Sequence, residues 1–237
     1  MVKCYEKIRH SVVAQAALEL GFNLVIICLC LRIYAGPRII SIEGAVSNPF
    51  NVVTSIVAGC SFATTLLRMV LIKALDLTVA CHPSTALYVY IDDIDIGEEG
   101  AEQEVVINTA ESTRTLVLAL ETIVMAEVST VKSKVLCSTA KVRAALKLRL
   151  SSLGIRTEAA GKKLGIDFTL GQRRILTTGR SRLKVIKGRV CRFKMLRKAA
   201  GPKRAGKVFK AGPIPAATYG MSVTGASTSH LQKLRQA

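Results

Sequence analysis

Apolar and polar side chains alternate along Leu87-Tyr88-Val89-Tyr90-Ile91, and the alternation resumes at Ile94 and Ile96. A period of two is that of a strand with unlike faces. Asp92 and Asp93 interrupt it, and aspartate favours turns over strand continuation. The pattern predicts a tight β-hairpin with two adjacent carboxylates at its tip. Elsewhere apolar positions recur every three or four residues, the spacing of one helix face. Such stripes predict helices over 10–20 (Val13, Ala16, Ala17, Leu20), over 24–34, from Ala63 to Leu75, over 105–125 (Leu116, Leu120, Ile123, Val124) and over 139–153 (Val142, Leu146, Leu150). Gly21, Gly36-Pro37 and Gly154 close three of them. Residues 1–8, 38–42, 131–136 and 162–168 read as further strands.

Charge divides the chain. Residues 1–128 hold 8 Lys/Arg and 14 Asp/Glu, a balance of −6, whereas 129–237 hold 26 and 2, a balance of +24. A half this basic points to a polyanionic partner, most simply nucleic acid. The charge concentrates in 180–210, with 13 Lys/Arg and no acid. Leu183, Ile186, Val190 and Phe193 fall there at helical spacing, so the segment reads as a basic amphipathic helix ended by Gly201-Pro202. Such a helix suits a phosphate backbone or a membrane surface.

The 237 residues are half hydrophobic, enough for a real core. The apolar stretch 21–31 is too short to cross a bilayer, which needs about 20 residues, and 51–67 is studded with Ser and Thr. Both read as buried core, and no membrane insertion is expected. Seven scattered cysteines, mostly in apolar surroundings, make no zinc set with the three histidines. They read as reduced thiols of an intracellular protein, nuclear or cytoplasmic. Lys3, Glu6, Lys7 and Arg9 do not make a secretory leader.

Two carboxylates held at a rigid hairpin tip offer clustered oxygen ligands for a hard divalent cation. Tyr90-Ile91-Asp92-Asp93 also resembles the Tyr-x-Asp-Asp signature of reverse transcriptases, whose β-turn-β element carries catalytic aspartates. Other segments resemble that family in the same order. Lys3, Tyr5 and Glu6 are similar to the residues that follow the metal-binding Asp of its first palm motif, an Asp that would fall just before Met1. The Gly59 loop before a long helix is similar to the second motif, with Ala58 where Gln is usual and the following Pro absent. Lys132, or else Lys134, falls where a lysine-bearing strand is expected. Lys162-Lys163-Leu164-Gly165-Ile166-Asp167-Phe168 resembles the Leu-Gly strand that grips the primer.

The resemblance implies an α+β fold: an antiparallel palm-like sheet backed by helices over 1–170, without fingers, then a basic thumb-like region over 171–237. It implies an RNA-directed DNA polymerase of the retrotransposon or group II intron type. Asp92 and Asp93 would hold Mg²⁺ or Mn²⁺, and Lys132 would serve the leaving pyrophosphate. Tyr5, Gly59 and Tyr90 would line the deoxynucleoside triphosphate, with the Tyr5 ring excluding a ribose 2′-hydroxyl. An RNA template and a DNA primer are the implied partners. The rival expectation is a catalytically inactive, nucleic-acid-binding remnant of such an enzyme.

Overall fold

The computed structural model of the chain describes residues 4–57, 59–163, 165–170, 175 and 177–235. The chain is α+β. Its described strands form four separate two-stranded ladders rather than one sheet. Two compact units emerge, one holding the chain up to Ser133 together with Ala145–Arg156, the other Lys134–Ala144 and Thr157 onward. Among the described residues no helix is long and apolar enough to cross a membrane.

The first unit runs α1 (Cys4–Lys7), α2 (His10–Glu19), α3 (Leu24–Ala35), β1 (Ser41–Ile42), β2 (Ala45–Val46), α4 (Ala63–Cys81), β3 (Ala86–Tyr90), β4 (Asp93–Gly97) and α5 (Glu102–Thr122). Asn23 starts α3 by accepting from the amides of Val25 at 3.0 Å and Ile26 at 3.2 Å, a side-chain cap for otherwise unpaired donors. Glu102 and Glu104 lie in the first turn of α5, where negative charge suits the helix dipole. The core is helical. Leu66, Leu67, Val70, Leu71 and Ala74 of α4 are buried with Val13 and Ala17 of α2, Ile27, Cys30 and Tyr34 of α3, and Leu116, Ala119 and Leu120 of α5. His82 Nε2 and Thr115 Oγ1 share a hydrogen bond of 2.8 Å that pins the end of α4 to α5.

The β3–β4 hairpin forms as its alternation predicts, pairing Leu87 with Ile96, Val89 with Ile94 and Tyr90 with Asp93. Leu87, Ile94 and Ile96 pack on the helical core. Four expected strands differ. The strand expected over 38–42 is β1 (Ser41–Ile42) alone, with an isolated bridge from Arg38 to Phe50. Residues 4–7 are one helical turn, not a strand. The strand expected over 131–136 is β5 (Lys134–Leu136) alone, preceded by a turn at 130–132. The strand expected over 162–168 is a hairpin of β7 (Ala160–Lys163) and β8 (Ile166–Thr169), because Gly165 has φ +78°, a left-handed turn conformation.

Between β5 and β7 lie α6 (Ala140–Arg149), a 3₁₀ turn at Ser151–Leu153 closed by left-handed Gly154, and β6 (Arg156–Glu158), which pairs with β5. After β8 come α7 (Thr177–Ala211), α8 (Pro213–Thr218), α9 (Met221–Thr224) and α10 (Thr228–Arg235). Asp167 of β8 caps α7, accepting from Thr178 N at 2.7 Å and Thr178 Oγ1 at 2.6 Å. The helix breaks at Gly201, whose φ of 81° and ψ of 163° are not helical, and resumes after it. The rings of Phe193 and Phe209 meet edge to face at 5.3 Å. Sixteen residues of straight helix would part them by about 24 Å. The break therefore folds α7 back on itself as a helical hairpin.

Candidate functional site

The tip of the β3–β4 hairpin is a two-residue turn, Ile91-Asp92, closed by the Tyr90–Asp93 pair. Ile91 has φ +59° and Asp92 an ordinary negative φ. A left-handed first position is what a two-residue hairpin turn of matching twist demands, and glycine normally supplies it. A β-branched side chain there is a genuine outlier, costing on the order of 1–3 kcal/mol. Strain of that kind is tolerated only where the surroundings impose it. Asp92 is half-buried and Asp93 exposed.

Asp92 does not face open solvent alone. Its charge reaches Cys4 and Tyr5 of α1. Burial pushes the Cys4 thiol up to about 11 from 9.0, with Asp92 adding to the rise. Burial first and Asp92 second also raise the Tyr5 phenol. The segment leading to Gly59 is tied to the same place. Ile56 N donates to Tyr5 O at 2.6 Å, Ser55 N to Ile8 O at 2.8 Å and His10 N to Val53 O at 3.1 Å. His10 Nε2 lies 2.9 Å from Ser55 O. Gly59 itself has φ +90°, and a Cβ built on it would meet nothing within 4 Å. Its backbone conformation requires glycine, and open space lies beside it.

Tyr5, Asp92 and the approach to Gly59 are thus gathered in one region of the first unit, although 87 positions separate the first two. Tyr90 ends β3 beside the turn and is exposed. The lysines are not gathered there. Lys132 lies in the 130–132 turn, its amide donating to Ser129 Oγ at 3.3 Å. Lys134 belongs to the second unit, where its Nζ pairs with Glu158 Oε2 at 3.3 Å. The expected lysine strand does not carry both residues. Leu164 lies outside the described residues, while Gly165 O accepts from Arg182 Nη2 at 2.8 Å. Arg182 Nη1 also donates to Tyr219 O at 2.8 Å, and its guanidinium stacks 4.9 Å above the Tyr219 ring.

Among the described residues no group of three or more His, Cys, Asp and Glu side chains could hold a metal ion. The hairpin offers two. Their carboxylate oxygens suit a hard cation, but the number falls one short of such a set. In the second unit, every Lys and Arg of α7 except Arg182 is exposed, so a cluster of positive charge faces solvent. Ile91 carried no sequence signal, since its positive φ is visible only in the backbone. No family model and no curated protein matches this chain.

Proposed function

We propose that the chain is a reverse-transcriptase-like nucleotidyltransferase domain that extends a DNA primer on an RNA template. The observation that carries the reading is the strained Tyr90-Ile91-Asp92-Asp93 tip, with Asp92 set beside Tyr5. On this reading the first unit works as a palm. Asp92 is the leading metal ligand and Asp93 its neighbour or support. A bound Mg²⁺ or Mn²⁺ would lower the pKa of the primer 3′-hydroxyl and offset charge on the triphosphate. The chain's own contribution is placement. Tyr5 offers a half-buried ring below the incoming sugar, and Gly59 lets backbone approach the nucleotide closely. The α7 hairpin acts as a thumb-like clamp, its lysines and arginines neutralising template and primer phosphates. Lys132 remains the proposed group for the leaving pyrophosphate, with Lys134 engaged by Glu158.

A second reading is favoured by the two-carboxylate count: a nucleic-acid-binding remnant that folds and binds without chemistry. Both readings give binding that weakens steeply with salt. Primer extension on an RNA template with Mg²⁺ or Mn²⁺ separates them. Extension that disappears in Asp92→Ala supports the polymerase. Extension that survives Asp92→Ala overturns the metal assignment, and salt-dependent binding with no extension leaves the remnant.

A further inference from the structure

Helix α3 is apolar on every side except at Arg32. A helix of that composition is normally buried all round, yet α3 buries one face. Ile27, Cys30 and Tyr34 point into the core. On the other face Leu24, Val25, Leu29 and Ile33 are 55%, 68%, 56% and 72% exposed, and Cys28 and Arg32 are exposed beside them. These side chains fall in two rows of i, i+4 spacing, Leu24-Cys28-Arg32 and Val25-Leu29-Ile33, and neighbours at that spacing touch along a helix surface. The second row is a wholly apolar ridge centred on Leu29. Gly36-Pro37 then leads into a segment that bares Ile39, Ile40, Ile42, Val46, Phe50 and Val53, each between 43% and 75% exposed.

We propose that this face is covered by a second copy of the chain, with the Val25-Leu29-Ile33 ridges of two α3 helices packed against each other about a two-fold axis beside Leu29. The area is what such an interface needs. A fully bared side chain of this size shows about 60–120 Å² of apolar surface, so the exposed side chains of α3 and of 39–53 together leave about 350–700 Å² uncovered. A standard interface takes about 800 Å² from each partner, and in homodimers about two-thirds of it, about 500 Å², is apolar. The shape is self-complementary as well. Ridges of i±4 spacing interdigitate when helices cross at about −50°, the commonest packing of two helices, and a two-fold axis sets each ridge against its own copy. Arg32 lies in the flanking row, where its long stem can keep the charge in water. Other occupants fit less well. Residues 24–53 carry two arginines, one glutamate and no lysine, and the chain has no tryptophan. A helix that lies on lipid wants a lysine- and arginine-rich flank and interfacial aromatics, and nucleic acid wants the positive charge that this face lacks. The inference stands whether or not the chain transfers nucleotides.

The test is sedimentation equilibrium of the full chain, reduced, treated with nuclease and held in about 0.5 M NaCl so that phosphate bridging is screened. With protein raised to about 100 μM, the mass should climb from 25.5 kDa to twice that value. Leu29→Glu should leave the helical circular dichroism unchanged, because the side chain already faces solvent. It should weaken the dimer by about a hundredfold or more, because two like charges then meet near the axis. Leu29→Lys should do the same. Mixed in equal amounts, the two variants should form a dimer that neither forms alone. A wild-type mass that stays at 25.5 kDa overturns the proposal, as does a Leu29→Glu dimer as tight as wild type. A mixture that remains monomeric overturns the axis beside Leu29. Neutral phosphatidylcholine vesicles that take up a monomeric wild type but not Leu29→Glu would make lipid the occupant and overturn it too.

Discussion

Replacing Asp92 with asparagine removes one negative charge from the hairpin tip while keeping nearly the same shape. If Asp92 stands beside α1, that charge is felt four residues from the start of the chain. The Cys4 thiol titrates near 11 in the folded protein against 9.0 for a free thiol, first because it is buried and second because of Asp92. The sign follows from which state holds its proton longer. Above pH 9 the unfolded chain releases the Cys4 proton, and the folded chain does not until about pH 11. This contribution to stability is therefore complete below pH 9 and lost as pH rises to 11. Two units correspond to about 2.7 kcal/mol. Asp92 supplies less of the rise than burial does. Asp92→Asn should lower the Cys4 midpoint and so remove part of that alkaline step, a smaller part than burial contributes. It should also lower the Tyr5 phenol, whose midpoint burial and Asp92 both raise. The assay is a ¹³C NMR titration of labelled cysteine Cβ and tyrosine Cζ, with Cys4→Ala and Tyr5→Phe to assign the signals. Cys4 and Tyr5 midpoints identical in wild type and Asp92→Asn would refute the placement of the tip beside α1. With it would fall the gathering of Tyr5 and Asp92 on which the polymerase reading rests.

Ile91→Gly should raise stability by about 1 kcal/mol, or a few degrees in melting temperature, because glycine accepts φ +59° and the exposed isoleucine loses little packing. A lowered melting temperature would show that the turn is not strained. Within α7 two glycines should respond in opposite directions. Gly201→Ala, at φ +81°, should cost about 1–3 kcal/mol, whereas Gly206→Ala, in open space within the helix, should gain about 0.5–1 kcal/mol. Denaturant titration followed by circular dichroism measures both, and equal effects would refute the fold-back of α7. Arg182→Ala should cost about 1–3 kcal/mol by leaving Gly165 O and Tyr219 O without their donor, and Arg182→Lys should recover only part of it. Full recovery in the lysine variant would mean that its charge, not its forked geometry, matters.

The elements that could be read from the chain are those whose periodicity runs long enough to exclude a rival period. α2, α3, α4 and α5 carry long apolar stripes; α2, α3 and α5 stand within three residues of expectation, and α4 runs six residues past its expected end at Leu75. The β3–β4 hairpin was legible because a period of two is broken by a pair of turn-favouring aspartates and then restored. Short elements fail this test. Cys4–Lys7 makes a single turn, too brief to distinguish a period of two from one of 3.6, and its pairing partner is the segment around Ser55 rather than a neighbouring strand. In 162–168 the sequence did mark the turn, since a glycine within an apparent strand signals a bend.

The site is legible to a different depth. Tip chemistry is local, so Asp92 and Asp93 could be named from four residues. What surrounds the tip is tertiary. The approach of Tyr5 and of the Gly59 segment depends on hydrogen bonds between residues 5–10 and 53–56, which no local pattern encodes. The same holds for Phe193 and Phe209. Gly201-Pro202 announces that a helix ends, but not that the next turn packs back upon it. Lys132 and Lys134 show the converse. Two residues apart, they look interchangeable on one strand, yet a turn ends between them and Glu158 claims only the second. Of the two, Lys132 keeps a side chain with no ion pair among the described residues. A nucleic-acid reading should therefore register Lys132→Ala in activity or binding, and Lys134→Ala first in the stability of β5.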